Sequence, residues 1–406
     1  MRFDSTHSPF ASSTCAPTDL ACACRDTALQ STIQACVLAS CRPKEALTAM
    51  NIFSKWCNLP IRNRGDSFHN LATSFGVITA VLVVIRMTQY IISPASTPGL
   101  DDLFIVLTMF CGIAGTIINT VVLIDNGLGQ DVWSISFEMI TTFAQWLFFQ
   151  EFLYFTEITL LKMSLLFFYL RIFGHTRIRN LIIGTLVFNT AFGIVFIIVA
   201  GFQCQPVSYN WTRWHGEGQG KCLNINALAW ANAAISIATD VWMLALPLSQ
   251  ISSLNLHWKK KVEVGAMFGV GLFVTAVSII RLKTLVGFSS THNPTWDQYG
   301  VVVWSTIEIN VGIICACMPA MRVILARLFP RVMGSKQTNG LYGTSKVSRK
   351  ATTASRKMGS ESVVKTANRD SSTTVGDQSD RGILFSREFT VDYHDEASLV
   401  PLQRLS

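Results

Sequence analysis

Two groups of side chains in this sequence are of types that could do chemistry. The first is six cysteines within the opening 57 residues: Cys15, Cys22, Cys24, Cys36, Cys41 and Cys57. An even number of thiols in a short polar segment indicates a disulfide framework, and so an oxidising compartment. Cys204 and Cys222 flank a second polar stretch, where a bridge would close a short loop. Cys111, Cys315 and Cys317 lie inside apolar runs and read as small buried hydrophobes. The second group is ionisable residues embedded in apolar runs: Arg86, Glu157, Lys162, Asp240, Arg281 and Glu308. Charge within a membrane span is expensive and by default marks function or internal pairing. Glu157, Asp240, Arg281 and Glu308 read as an intramembrane polar cluster. Such a cluster could lock helices together, line a ligand pocket or switch, or carry a proton or ion. Arg86 and Lys162 lie nearer the cytoplasmic ends of their runs, where long side chains can snorkel to the interface. Trp242, Trp296 and Trp304 suit either a pocket or an interfacial belt.

No catalytic motif accompanies them: HExxH, GxSxG, P-loop and dinucleotide fingerprints are all missing from the sequence. His175, His215 and His257 are isolated loop residues. The expectation is a protein that is not an enzyme.

The elements that must position these residues are set by hydropathy. Half of the 406 residues are hydrophobic and only 14% are charged, against roughly 25% charged in soluble proteins. Apolar runs near 68–92, 101–124, 143–170, 181–202, 226–248, 262–286 and 300–328 are each long enough to cross a hydrocarbon core, which takes about 20 helical residues. Lipid cannot satisfy free backbone groups, so runs of this length must be helices. The fold class is therefore an all-α membrane protein. Residues 1–66 form a small disulfide-rich segment, 67–330 a seven-transmembrane bundle, and 331–406 a basic tail. That tail is rich in Ser, Thr, Lys, Arg and Gly, with little to bury, so disorder is expected there. The net charge of +8 flanks apolar runs, which fits membrane lipid as the partner and excludes nucleic-acid binding.

Loop charges predict the orientation. Arg171, Arg177 and Arg179 follow the third run, and Lys259, Lys260 and Lys261 follow the fifth. The alternate loops carry few bases, so these clusters and the tail belong in the cytoplasm and the N-terminus outside. The six-cysteine segment then falls on the oxidising side. So does the sequon at Asn210, expected to be glycosylated. No secretory signal opens the sequence, so the first helix is expected to translocate the N-terminal segment itself, unless the true start lies upstream.

Gly99-Leu100-Asp101-Asp102, the stretch from Lys162 to Phe173, Asp240 to Pro247, Arg281-Leu282, Glu308-Ile-Asn310 and Cys317-Met-Pro319-Ala together resemble the fungal rhodopsin-like family. That family includes the membrane protein of the satratoxin biosynthetic cluster. The N-terminal segment, with Cys15, Thr18-Asp19, Cys22-Ala-Cys24, Cys36, Cys41 and Cys57, resembles the fungal CFEM domain. That domain has eight cysteines; six are present here, and the first two have no counterpart. The resemblance implies a G-protein-coupled-receptor-like sensor in the plasma membrane, with an unidentified extracellular ligand. The CFEM-like segment would be an outer lid or capture module, and the basic loops a face for a heterotrimeric G protein. Two alternatives stay open. One is a transporter or accessory protein of a secondary-metabolite cluster. The other is haem or iron capture, with Asp19 as iron ligand, as in the haem-binding CFEM members.

Overall fold

The computed structural model describes residues 13–16, 19–92, 97–173, 178–251, 258–288 and 291–328. One compact unit spans Met1–Pro330, and the basic tail lies outside the described residues.

Three short helices open the chain: α1 (Leu20–Ala23), α2 (Thr27–Ser40) and α3 (Pro43–Trp56). Each has a local reason to start where it does. The Asp19 carboxylate accepts the Cys22 N–H at 2.9 Å at the head of α1. Asp26 caps α2 by accepting from the Ala28 and Leu29 amides at 3.0 and 3.1 Å. Pro43 occupies the first turn of α3, where a missing N–H costs nothing. Disulfides Cys15–Cys22 and Cys24–Cys57 close these helices around a small core of Cys15, Ala23 and Leu29. Cys36 and Cys41, expected among the bridged cysteines, are unbridged. They sit five positions apart at the end of α2, a rise of about 7.5 Å, which exceeds the usual Cα separation of a disulfide.

Among the described residues, seven helices are long and apolar enough to cross a membrane. They are α4 (Gly65–Ile92), α5 (Leu100–Ile117), α6 (Phe137–Phe173), α7 (Arg179–Gly201), α9 (Ile225–Ile251), α10 (Trp258–Phe288) and α11 (Pro294–Leu328). The fifth continues through a π-helical turn, Ile118–Leu123. The third and seventh crossings are the longest, at 37 and 35 residues, as their apolar runs imply. Phe110, Val187 and Leu272 point outward and stay exposed, as lipid-facing side chains should. Inward, Val83, Ile105, Phe155, Ile309 and Ile313 join α4, α5, α6 and α11 in one core. Helix contact is close where a side chain is missing. A β-carbon on Gly193 would lie 2.5 Å from Thr159 atoms of α6, so glycine sets the spacing of α6 and α7.

Between α7 and α9 run β1 (Cys204–Gln205), α8 (Tyr209–Thr212) and β2 (Lys221–Cys222). The two strands pair antiparallel with Cys204 opposite Cys222, and a disulfide joins them.

Candidate functional site

Four helices bring polar residues together inside the bundle. Lys162 of α6 places Nζ 2.9 Å from Asp240 Oδ1 of α9 and donates to the Ser236 carbonyl and hydroxyl, both at 2.9 Å. Ser236 and Asp240 stand four residues apart, so one helix face delivers both. Arg281 of α10 approaches Glu308 of α11, with Nε 2.8 Å from Oε2. Tyr154 of α6 donates to the same Oε2 at 2.8 Å, and its ring lies 4.8 Å below the guanidinium. Ser278 donates to Glu308 Oε1. Asp240 also lies within electrostatic reach of Arg281 and Glu308, so the two pairs act as one network of two acids and two bases. Its charges balance, which is what allows the charged forms to persist in a dry interior.

Hydrogen bonding in the network is incomplete. Asp240 Oδ2 and Arg281 Nη2 are buried without a partner, and the Arg281 Nε–H is not aimed along its contact with Glu308. One acceptor and one donor of opposite charge therefore remain open. They can take a water or a polar ligand that offers both functions, or they can exchange partners when the helices shift.

Three expectations need correcting. Lys162 and Arg86 do not snorkel: both are buried and paired. Arg86 of α4 reaches Asp101 and Asp102 in the first turn of α5, at 2.6 and 2.8 Å, and donates to the Ala316 carbonyl. Hydropathy set the depth of these bases but concealed their acids, because the two aspartates open a helix and read as its flank. That position is favourable in itself, since the helix N-terminus carries positive partial charge. Asp102 additionally accepts the Gly99 N–H at 2.9 Å and the Tyr90 hydroxyl. Arg171, placed on the basic partner face, is drawn towards the same acids, with Nη1 3.6 Å from Asp101 and 3.9 Å from Asp102, and donates to the Thr97 carbonyl. Glu157, grouped with Asp240, Arg281 and Glu308, stands apart from them without an ion-pair partner among the described residues.

Arg179 is exposed at the start of α7, and Arg177 lies outside the described residues. Lys259, Lys260 and Lys261 fall in the first turn of α10, and their side chains are likewise outside what is described. Asn210 is half-buried in α8 and donates from Nδ2 to the Val207 carbonyl at 3.1 Å. Asp19 is exposed, with Oδ1 used to cap α1. Trp242 is partly exposed and donates to the Thr185 hydroxyl at 2.9 Å.

A clamp that the sequence did not reveal fastens the cysteine-rich end to the bundle. Asp131, between α5 and α6, accepts from Arg62 Nε at 3.0 Å and from Asn293 Nδ2 at 2.7 Å. The Arg64 amide donates to the Gly129 carbonyl at 3.1 Å, and the Gly129 amide to the Thr295 carbonyl at 3.0 Å. Arg62 and Arg64 lie over the Trp296 ring, 4.1 and 4.2 Å from its centroid. Gly129 is required here: its φ is +77°, and a β-carbon would meet Tyr299 at 3.1 Å. Lys44 of α3 pairs with Glu217 of the loop after α8 at 2.7 Å. Arg62 and Arg64, which precede the first span, are thus structural clamp residues.

Residues 73–327 match the family described as the fungal rhodopsin domain, and residues 6–58 match the CFEM domain. The chain belongs to the fungal rhodopsin family. The fungal rhodopsin domain carries both buried networks, and the CFEM domain ends just before the clamp residues Arg62 and Arg64 and reaches the loop after α8 through Lys44. Among similar proteins, a SAT4 family membrane protein of Emericella nidulans is 29% identical over 58% of this chain and 57% of its own length. Satratoxin biosynthesis SC1 cluster protein 4 of Stachybotrys chartarum is 26% identical over 48% of this chain and 71% of its own. Receptor GIN3 of Arthrobotrys oligospora is 25% identical over 43% of this chain and 42% of its own. The chain thus spans little more than half of the first of these relatives. No solved structure matches it.

Proposed function

We propose that this fungal rhodopsin-family protein is a G-protein-coupled-receptor-like sensor of a surface or small-molecule cue. It would sit in the plasma membrane with the CFEM domain outside and the tail in the cytoplasm. The observation that carries this reading is the open pair, Asp240 Oδ2 and Arg281 Nη2, inside a network spanning four helices. A ligand that fills both valences in one helix arrangement better than in another shifts the bundle towards that arrangement. The resemblance to a protein named as a receptor favours the same role. The clamp gives the CFEM domain a mechanical route to α11, and the basic loops supply a face for a heterotrimeric G protein. Glycosylation of Asn210 belongs to this orientation.

The test is purification of the full chain from fungal membranes in mild detergent. Co-purification of an endogenous Gα subunit that GTP releases is the expected result. Failure to recover any Gα, at any nucleotide state and with the protein folded, rejects coupling. A second reading, an accessory or transport protein of a secondary-metabolite pathway, is favoured by the relative named for a satratoxin cluster. It predicts that gene deletion changes the export of a metabolite and leaves G-protein signalling untouched.

A further inference from the structure

Charge inside this bundle is balanced in two places and unbalanced in a third. Lys162 and Arg281 answer Asp240 and Glu308, and Arg86 and Arg171 answer Asp101 and Asp102. Glu157 of α6 is only 5% exposed and has no base in ion-pair contact among the described residues. Two further buried acceptors, one on α6 and one in the π-helical turn that continues α5, are equally unserved. Glu157 Oε1, Gln150 Oε1 and Asn119 Oδ1 are all buried without a hydrogen-bond partner.

Glu157 and Gln150 meet at one gap between α5 and α6, and Asn119 stands one turn along the α5 side of it. Gln150 and Glu157 are seven residues apart, two turns along one face of α6. Opposite them is Gly115, where a β-carbon would lie 3.1 Å from both Glu157 Oε1 and Gln150 Nε2, and 3.6 Å from Gln150 Oε1. A half-turn of the Gln150 amide exchanges its nitrogen and oxygen. Asn119 follows Gly115 by four residues, on the same helix face, and is itself only 5% exposed. It lies in the π-helical turn Ile118–Leu123, a rare element that recurs at functional sites. The thiol of Cys111 on α5, one turn before Gly115, lies within electrostatic reach of Glu157.

Three oxygens that need positive partners carry one negative charge in total. A proton on Glu157 would supply a single donor, which can serve one amide oxygen and leaves the other orphaned in a dry interior. A divalent cation would leave an uncompensated positive charge at membrane depth. A monovalent hard cation meets all three oxygens and cancels the charge, and carbonyl and carboxylate oxygens are the ligands such an ion prefers. We propose that Glu157, Gln150 and Asn119 hold a single Na+ between α5 and α6, in the gap opened by Gly115. The assignment does not depend on whether the protein signals.

The test uses the full chain purified in detergent, with thermal unfolding followed by tryptophan fluorescence. Na+ is titrated against choline at constant ionic strength, at pH 7.5 and again at pH 5.5. The wild type should rise saturably in unfolding temperature, by roughly 2–4 °C once Na+ exceeds its dissociation constant about five-fold. The rise should shrink at pH 5.5, where protons compete for Glu157. Glu157→Gln and Gly115→Ala, the second of which fills the gap without removing an oxygen, should both abolish it. Identical wild-type curves in Na+ and choline overturn the proposal, and stabilisation by acid without any by Na+ assigns a proton site instead. If Glu157→Gln fails to fold, Gly115→Ala and direct ²³Na⁺ resonance broadening by the wild type decide the matter. Broadening that persists unchanged in Gly115→Ala also refutes the site.

Discussion

Removing one member of the Lys162–Asp240 pair is the perturbation whose size the structure fixes best. In Lys162→Met the side chain keeps its length and loses its charge. Asp240, whose side chain is 13% exposed, then keeps a carboxylate stripped of its Lys162 partner, while the Ser236 carbonyl and hydroxyl lose a donor. Breaking a buried pair in this way costs about 3–5 kcal/mol. Over a bundle of this size, each kcal/mol moves the midpoint by roughly 2–4 °C, so a fall of roughly 6–20 °C is expected. Lys162→Met/Asp240→Leu removes the stranded charge, and its loss should be smaller than that of Lys162→Met alone. The assay is a heating series in detergent, scored by the monodisperse fraction on size exclusion, for both single variants and the double. Additive losses would refute the reasoning, because they would show that the two side chains do not depend on each other.

Three further outcomes follow from the CFEM domain and the loop beside it. Replacing Cys24 and Cys57 by Ser opens a loop of 33 residues and should cost about 3–4 kcal/mol by chain entropy; limited proteolysis should release the segment sooner, while Cys36→Ser, which breaks no bridge, should match wild type. The Leu29 amide, with help from the Ser13 hydroxyl, lowers the Asp26 carboxyl, and the Lys44 ammonium lowers that of Glu217. Both folded values lie below the unfolded ones, so each contributes stability above about pH 4 that is lost as pH falls through the depressed value. Hydrogen exchange at the start of α2, corrected for intrinsic rate, should therefore quicken in acid, and Asp26→Asn should flatten that response. Glycosidase should shift the mobility of wild type and leave Asn210→Gln unchanged; an unshifted wild type would remove a support for the outward orientation.

Much of the fold was legible because lipid leaves the backbone no choice. A long apolar run must be a helix, so the seven crossings and the extra length of α6 and α11 could be read from run length alone. The pairing of charges could not. A run specifies depth but not which helix stands next to it, so Arg86 and Lys162 looked like bases reaching for the interface. Their acids sit on other helices, and Asp101 and Asp102 were masked by opening one. Glu157 resembled Asp240 and Glu308 in kind and depth, and only packing shows that it faces α5 and not α10. The clamp was hidden for a different reason: Arg62, Asp131, Asn293 and Trp296 are single residues of unremarkable loops, and their partnership exists only in three dimensions.

On the proposed function, the buried network sets a bundle state which a G protein reads. The most direct measurement is GTPγS uptake by a co-expressed Gα in membranes carrying wild type, Glu308→Gln or no receptor, with the two proteins matched for folded amount. Glu308→Gln weakens the contact that holds Arg281 of α10 against α11. It should raise ligand-free uptake several-fold above receptor-free membranes, with wild type in between. Equal uptake in all three membranes would contradict the claim.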